Sequence, residues 1–248
     1  MRRALGLLLA LPLMMSPAAA RAAEITVAVG RELPPYVIVE EWRGLEYDVV
    51  REALALEGHT LKPRFMALAR VSKELENGMV DAAMTMQPSS GIKAFYSDVH
   101  VTYRNYAITL AQRGITITRM GDLADKSVIA FQNASRYLGP DYKAAVEKNP
   151  RYREETKQVV QPMLLFLGRI DVVIAERSIF TWLANDAGVK AKADTSQALR
   201  FHPIFPPTDY HVAFRDPQLR DSFNRGLKKL HESGIYAKIV ERYSDFLK

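Results

Sequence analysis

The stretches Leu75-Glu76-Asn77-Gly78-Met79-Val80-Asp81 and Leu165-Phe166-Leu167-Gly168-Arg169-Ile170-Asp171 share one pattern: leucine, two residues, glycine, two residues, aspartate. Each leads into an almost wholly apolar run, Val80 to Met86 in the first copy and Asp171 to Ala175 in the second. The physical reading is a helix stopped by a glycine in the left-handed region, followed directly by a strand buried on both faces. That is the helix-to-strand half of a parallel βαβ unit. Its recurrence 90 residues apart (171 − 81) predicts two units of similar build.

Working outward, the same alternation continues. Glu24 to Gly30 reads as a first strand, Asp48 to Glu57 as a helix, Lys62 to Met66 as a strand and Arg70 to Asn77 as a helix. After Gly114 the scheme restarts with a strand at Ser127 to Phe131 and a helix at Ser135 to Val146. Then come a helix at Pro162 to Leu167, the strand before Glu176, and a helix at Ser178 to Ala187. The tail offers a strand at Tyr210 to Phe214 and helices at Pro217 to Glu232 and Ile235 to Phe246. One strand and two helices cannot bury their own apolar faces, so they are expected to return to the first unit. The predicted fold class is α/β in two lobes. Residues 23–109 and 209–248 form lobe 1 and residues 113–206 lobe 2, inserted between crossover strands near Asn105–Gln112 and Thr208–Phe214.

The N-terminus predicts the compartment. Arg2 and Arg3 precede an apolar run from Ala4 to Met15, then small residues ending in Ala20-Arg21-Ala22. This is the layout of a signal peptide cleaved near Ala22, giving residues 1–22 as leader and the periplasm as destination. The chain has no cysteine, so no disulfide framework can form and no lipid-anchored N-terminus is expected. The formal charge of +6 falls to +3 once Arg2, Arg3 and Arg21 are discounted, which gives no basis for nucleic-acid binding.

Further short motifs follow in a fixed order: Pro34-Pro35-Tyr36, Gly44-Leu45-Glu46-Tyr47-Asp48, the first leucine–glycine–aspartate unit, Tyr96-Ser97-Asp98, Gly121-Asp122-Leu123, the second unit with Glu176 five residues on, and Gly234-Ile235-Tyr236. In this order they resemble the periplasmic solute-binding proteins of family 3, the polar amino-acid type with the type II periplasmic binding fold. The resemblance covers nearly all of the chain after residue 22. It implies a receptor that closes on a small polar or zwitterionic ligand and presents it to a membrane transporter permease or a membrane sensor. It further implies no enzymatic activity and no cofactor, and a monomer is expected. Two departures matter. The family's carboxylate-gripping arginine falls on Ser90, and its aromatic lid falls near Leu68. A bidentate guanidinium has no substitute in serine, so ordinary α-amino acids are expected to bind poorly. Arg70, or else Lys93, is the candidate replacement.

In such a fold the ligand lies beyond the carboxyl ends of the strands, between the lobes. The candidate contacts are therefore Tyr36, Trp42, Glu46, Arg70, Thr85, Gln87 and Tyr103 from the first lobe, and Gln132, Asn133, Ala134, Glu176 and Arg177 from the second. Each has a plainer reading. Tyr36 and Trp42 can simply pack, Glu46 and Glu176 can sit favourably at helix N-termini, and Arg70 can be a solvated surface charge. Asn133 or Ser135 can cap its helix. The carboxylate pair Glu154-Glu155 reads as solvated. The five histidines show no metal-ligand spacing, and no nucleophile, phosphate-loop or dinucleotide motif occurs. An enzyme on the same fold, a dehydratase or lyase, is the alternative from another class, with Glu176 as its acid.

Overall fold

The computed structural model describes residues 22–31 and 33–247; the leader expected at residues 1–22 lies, apart from Ala22, outside the described residues. The elements in chain order are β1 (Glu24–Gly30), α1 (Leu45–Ala55), β2 (Thr60–Met66), α2 (Leu68–Glu76), β3 (Ala82–Met86), β4 (Phe95–Tyr96), β5 (Val101–Tyr103) and β6 (Asn105–Leu110). They continue with β7 (Val128–Phe131), α3 (Ala134–Tyr137), α4 (Pro140–Glu147), β8 (Tyr152–Glu155), α5 (Val160–Phe166), β9 (Val172–Glu176), α6 (Arg177–Ala184), α7 (Ala187–Lys190) and β10 (Leu199–His202). The chain finishes with β11 (Thr208–Phe214), α8 (Pro217–Glu232) and α9 (Ile235–Arg242).

Two sheets result. The first runs β2-β1-β3-β11-β4, with β5 pairing the start of β11; the second runs β10-β6-β9-β7-β8. Each sheet holds a parallel trio, β2-β1-β3 or β8-β7-β9, flanked by one antiparallel strand, β11 or β6. The repeated aspartates explain the likeness. Asp81 Oδ2 accepts the Thr26 N–H at 2.9 Å, and Asp171 Oδ2 accepts the Ser127 N–H at 2.8 Å and the Ser127 hydroxyl at 2.7 Å. In both copies the carboxylate ties the start of one strand to its parallel neighbour, while Gly78 (φ 72°) and Gly168 (φ 67°) make the preceding left-handed turn. Each of the two strands expected to cross between lobes belongs to a single sheet. The chain is already in the second sheet from Asn105, where Asn105 pairs with Glu176, earlier than the boundary expected at 109.

Several expected elements differ in extent. The helix expected over Ser135 to Val146 is two short helices, because Gly139 adopts φ 91° and Pro140 has no N–H to continue the ladder. The short strands β4, β5, β8 and β10 carry no alternating apolar pattern long enough to read. In β8 the sequence Tyr-Arg-Glu-Glu forms a sheet edge, where one side needs no partner.

Helices α8 and α9 pack on α1. Asp48, on α1 and 1% exposed, accepts the Tyr243 hydroxyl at 2.7 Å and Arg242 Nη1 at 3.0 Å. From the second unit, Ile179 and Leu183 of α6 enter the first unit's core, and Trp182 meets Phe246 at 4.4 Å between ring centroids. Among the described residues no helix is long and apolar enough to cross a membrane. The α1–α8 contact is close enough to test the packing. A Cβ on Gly226 would lie 1.9 Å from the Ala53 carbonyl oxygen, whereas one on Gly121 meets nothing nearer than 4.0 Å. Gly226→Ala should therefore lower unfolding stability by about 1–3 kcal/mol in chemical denaturation, with Gly121→Ala near neutral. Equal effects would refute the close packing.

Candidate functional site

Between the two sheets lies a narrow cavity of about 20 Å³, room for roughly one water in this arrangement of the lobes. The first unit contributes Leu33, Leu68, Thr85, Tyr103 and Tyr210 to its wall. The second contributes Asn105, Phe131, Tyr137, Gln158, Glu176 and Ile179. Among the described residues Glu176 is the one acidic lining residue, and neither lysine nor arginine lines the cavity. Tyr137 also faces an outer groove, which Gln87, Pro88, Phe205 and Pro207 help to form.

The first-lobe wall is built on Glu46. Its N-terminal position on α1 follows from backbone pairing: the Pro35 and Tyr36 carbonyls accept the N–H groups of Leu45, Glu46 and Tyr47. The chain thereby satisfies its own helix N-terminus. The Glu46 side chain is fully buried and accepts the Thr85 hydroxyl at 2.9 Å and the Tyr103 hydroxyl at 2.6 Å; His100 Nε2 lies 2.9 Å away. Helix-dipole stabilisation alone, the plainer reading of Glu46, understates this role. Thr85 sits at φ 58°, a costly conformation for a β-branched residue, of order 1–3 kcal/mol. The hydrogen bond to Glu46 helps to hold it there. The Tyr103 ring packs at a tilt between those of Tyr36 (centroids 4.0 Å apart) and Tyr210 (4.8 Å), so Tyr36 supports the wall from behind. Burial pushes the phenols of Tyr36, Tyr103 and Tyr210 well above their ordinary range, and each is a neutral hydroxyl.

Glu176 ends β9, caps α6 and is 4% exposed. Its Oε2 accepts the Ile179 N–H at 2.9 Å, and the Ser178 hydroxyl lies 3.4 Å from Oε1. Burial pushes its carboxyl up to about 7, against the opposing pull of backbone groups of Ile179, Ser178 and Arg104 and of the Tyr36 hydroxyl. Asn105 is its strand partner; the amide is 3% exposed, and its Nδ2 has no hydrogen-bond partner.

Of the residues expected from sequence, Thr85, Tyr103 and Glu176 line the cavity, as does Leu68 at the lid position. Gln87 reaches the outer groove, and its buried Nε2 makes no hydrogen bond. The others lie elsewhere. Arg70 is 65% exposed on its side chain and paired with Glu74 one turn on at 2.9 Å, so it is a solvated surface charge. Trp42 is 57% exposed and packs edge-on against Phe65, away from the cavity. Arg177 is exposed and lies over the Phe201 ring. Ala134 is buried in the second core, and Gln132 is half-buried in the turn before it. Asn133 adopts φ 64°, and neither it nor Ser135 caps α3 with its side chain. Glu154 does so instead, and is not the solvated charge expected. Its carboxylate accepts the Asn133 N–H at 2.6 Å, the Ser135 N–H at 2.9 Å, the Ser135 hydroxyl at 2.8 Å and the Tyr152 hydroxyl at 2.8 Å. Ser90 lies outside the cavity lining, its carbonyl accepting Arg136 from the second unit at 2.6 Å, and Lys93 is exposed.

Sequence reasoning missed Asn105, Phe131, Tyr137, Gln158, Ile179 and Tyr210. Asn105 and Tyr210 had a usable signal: a polar and an aromatic residue among the opening residues of the two strands expected to cross between the lobes. Nothing local marks Phe131 or Ile179 as more than core. Among the described residues no group of three histidine, aspartate or glutamate side chains could hold a metal ion.

The raised pKa of Glu176 makes stability depend on pH. A carboxyl that titrates near 4.5 unfolded and near 7 folded adds stability fully present below pH 4.5 and lost as pH rises through 7. The ceiling is about 3 kcal/mol at 1.36 kcal/mol per unit. Glu176→Gln should remove this component, so the stability difference between variant and wild type should grow in the variant's favour from pH 5 to 7.5 in ligand-free denaturant titrations. A pH-independent difference would place the Glu176 titration elsewhere.

Comparison with known proteins accords with this geometry. Residues 25–246 match the family model described as bacterial extracellular solute-binding proteins, family 3. No curated sequence matches the chain. Among solved structures, a histidine kinase sensor domain with similarity to periplasmic binding proteins aligns with TM-score 0.74 and 17% identity, over 91% of this chain and 97% of that one. An ancestral arginine-binding protein bound to arginine aligns with TM-score 0.70 and 19% identity, over 90% and 98%. AbpA of an amino acid ABC transporter from Streptococcus pneumoniae, bound to L-arginine, aligns with TM-score 0.67 and 19% identity, over 90% and 95%. At these identities the structures show the shared two-lobe fold of type II periplasmic binding proteins, and the family match shows the rest: this chain belongs to the bacterial extracellular solute-binding proteins of family 3.

Proposed function

We propose that this protein is an exported solute receptor of the periplasm, which closes its lobes on a small ligand and delivers it to a membrane permease. One observation carries the reading: the cavity draws its walls from both sheets, so a ligand in it contacts Tyr103 and Tyr210 on one side and Glu176 and Asn105 on the other. A ligand that bridges two lobes favours the closed arrangement by its differential affinity for that state. The signal-like N-terminus and the extracellular family support export. Delivery to a membrane sensor is a second outcome, supported by the sensor-domain fold neighbour.

An enzymatic reading has one observation in its favour, because a buried acid titrating near 7 suits a general acid. A further fold neighbour is an ancestral amino acid-binding protein described as a precursor of cyclohexadienyl dehydratase, with TM-score 0.67, 18% identity and coverage of 88% and 94%. The receptor reading expects every bound solute to be recovered unchanged by mass spectrometry; a dehydrated or cleaved product would replace it with the enzymatic one.

The mature chain should gain about 2.7 kcal/mol of stability with a ligand at 100 times its Kd, read as a thermal shift across a metabolite panel. The same ligand should reduce the radius of gyration in small-angle scattering. Glu176→Gln should weaken a cationic ligand by about 1.5–3 kcal/mol, whereas Arg70→Ala should change affinity by less than about 0.5 kcal/mol. Equal losses would return Arg70 to the site.

A further inference from the structure

The lining of the cavity says what kind of solute fits it, given the receptor reading on which this inference rests. A zwitterionic α-amino acid needs a cation or a cluster of free N–H donors for its carboxylate. The cavity offers neither. Among the described residues no lysine or arginine lines it: Arg70 pairs with Glu74, Arg177 lies over Phe201, Arg136 donates to the Ser90 carbonyl, and Arg104 is exposed and lines a separate groove with His100 and Tyr236. The N–H groups that open α3 in the second unit already bind an internal carboxylate, that of Glu154. Two further carboxylates stand close by, Glu176 in the wall and Glu46 one hydrogen bond behind Tyr103 and Thr85. A ligand carboxylate would be buried without a counter-charge and beside acidic side chains, which disfavours it strongly.

A cation meets the opposite situation. Four aromatic side chains line the cavity, Phe131, Tyr137, Tyr210 and Tyr103, the last with its ring packed between Tyr36 and Tyr210 and its hydroxyl given to Glu46. Aromatic faces in a desolvated site attract an ammonium group. Glu176 accepts the Ile179 N–H and the Ser178 hydroxyl, with the Tyr36 hydroxyl also close to it, and a carboxylate offers about four acceptor sites in all. The Asn105 Nδ2, buried and unpartnered, needs an acceptor from the ligand. Tyr137 opens onto the outer groove, where the remainder of a longer ligand has room.

We propose that the solute is a carboxylate-free organic amine: its ammonium lies among Tyr103, Tyr137, Tyr210 and Glu176, and a neutral hydrogen-bond-accepting group faces Asn105. The recognised pattern is that of an amine, an amino-acid amide or an amino alcohol, as distinct from the parent amino acid.

The test is thermal shift and calorimetry on the mature wild-type chain with matched probes: phenylalanine, phenylalaninamide, phenethylamine and phenylacetate, with arginine against agmatine and lysine against cadaverine. At least one amine or amide should bind, and should bind about tenfold or more tightly than its parent acid, a difference of about 1.4 kcal/mol. Phenylacetate should not bind. Glu176→Gln should lower the amine's affinity at least about tenfold. Leu68→Arg, which sets a guanidinium at the cavity wall, should raise affinity for the parent acid relative to the amine. A parent amino acid that binds as tightly as its amine would overturn the assignment, as would the absence of binding by every amine and amide at millimolar concentration. If a neutral or anionic solute closes the wild-type chain instead, the amine assignment fails while the receptor reading stands. Chemical conversion of a bound probe would remove the receptor reading itself.

Discussion

A carboxylate with no exposed surface, Glu46, holds together the wall on which the rest of the site depends. It takes hydrogen bonds from the end of β3 through Thr85 and from β5 through Tyr103, and faces His100 in the segment between β4 and β5. Burying an ionisable group is unfavourable unless its lone pairs are satisfied. Three partners from three segments meet that requirement, and in doing so they fix those segments relative to α1. The Thr85 backbone in the left-handed region is one consequence. The orientation of Tyr103, and through it the packing against Tyr36 and Tyr210, is another.

The second lobe solves the same problem with a different carboxylate. Glu154 on the edge strand β8 gathers the N–H groups of Asn133 and Ser135 and two hydroxyls. Burial opposes its charge, but these donors prevail and hold its carboxyl below the usual range. A helix N-terminus that could have faced a ligand is thus used internally. Among the described residues Glu176 is left as the acidic side chain in the lining, where burial prevails over its donors and drives its carboxyl the other way. The contrast follows from solvation: Glu154 is half-buried with four donors, while Glu176 is nearly enclosed.

Much of the scaffold was legible in one dimension because the determining forces are local. Glycine in a left-handed turn, an aspartate three residues on and an apolar run of strand length specify the helix-to-strand unit, and both copies form it. The tail helix was read at its observed limits, Pro217–Glu232, since its cap Asp216, its proline and its apolar period all lie within the segment. Sheet edges were not legible. Strands β8 and β10 are short and polar on one side, and their place is assigned by partners that lie far along the chain, Phe131 for Glu155 and Leu110 for Leu199.

The site divides the same way. Sequence by itself determined that Glu176 follows a buried strand, that Thr85 lies near the end of a strand of the other half, and that no arginine stands at the position where the resembled family grips a carboxylate. Tertiary structure decided which side chains share a cavity. Arg70 and Glu74 are one turn apart on α2, so the charge meets its partner at the surface. Asn105 faces Glu176 because β6 pairs with β9 across 71 residues of chain (176 − 105), and Tyr210 reaches the same cavity from a strand that joins the other sheet. Periodicity and capping are properties of neighbours in sequence. Which charges are buried, and against what, depends on strand pairing over distances where local pattern carries no information.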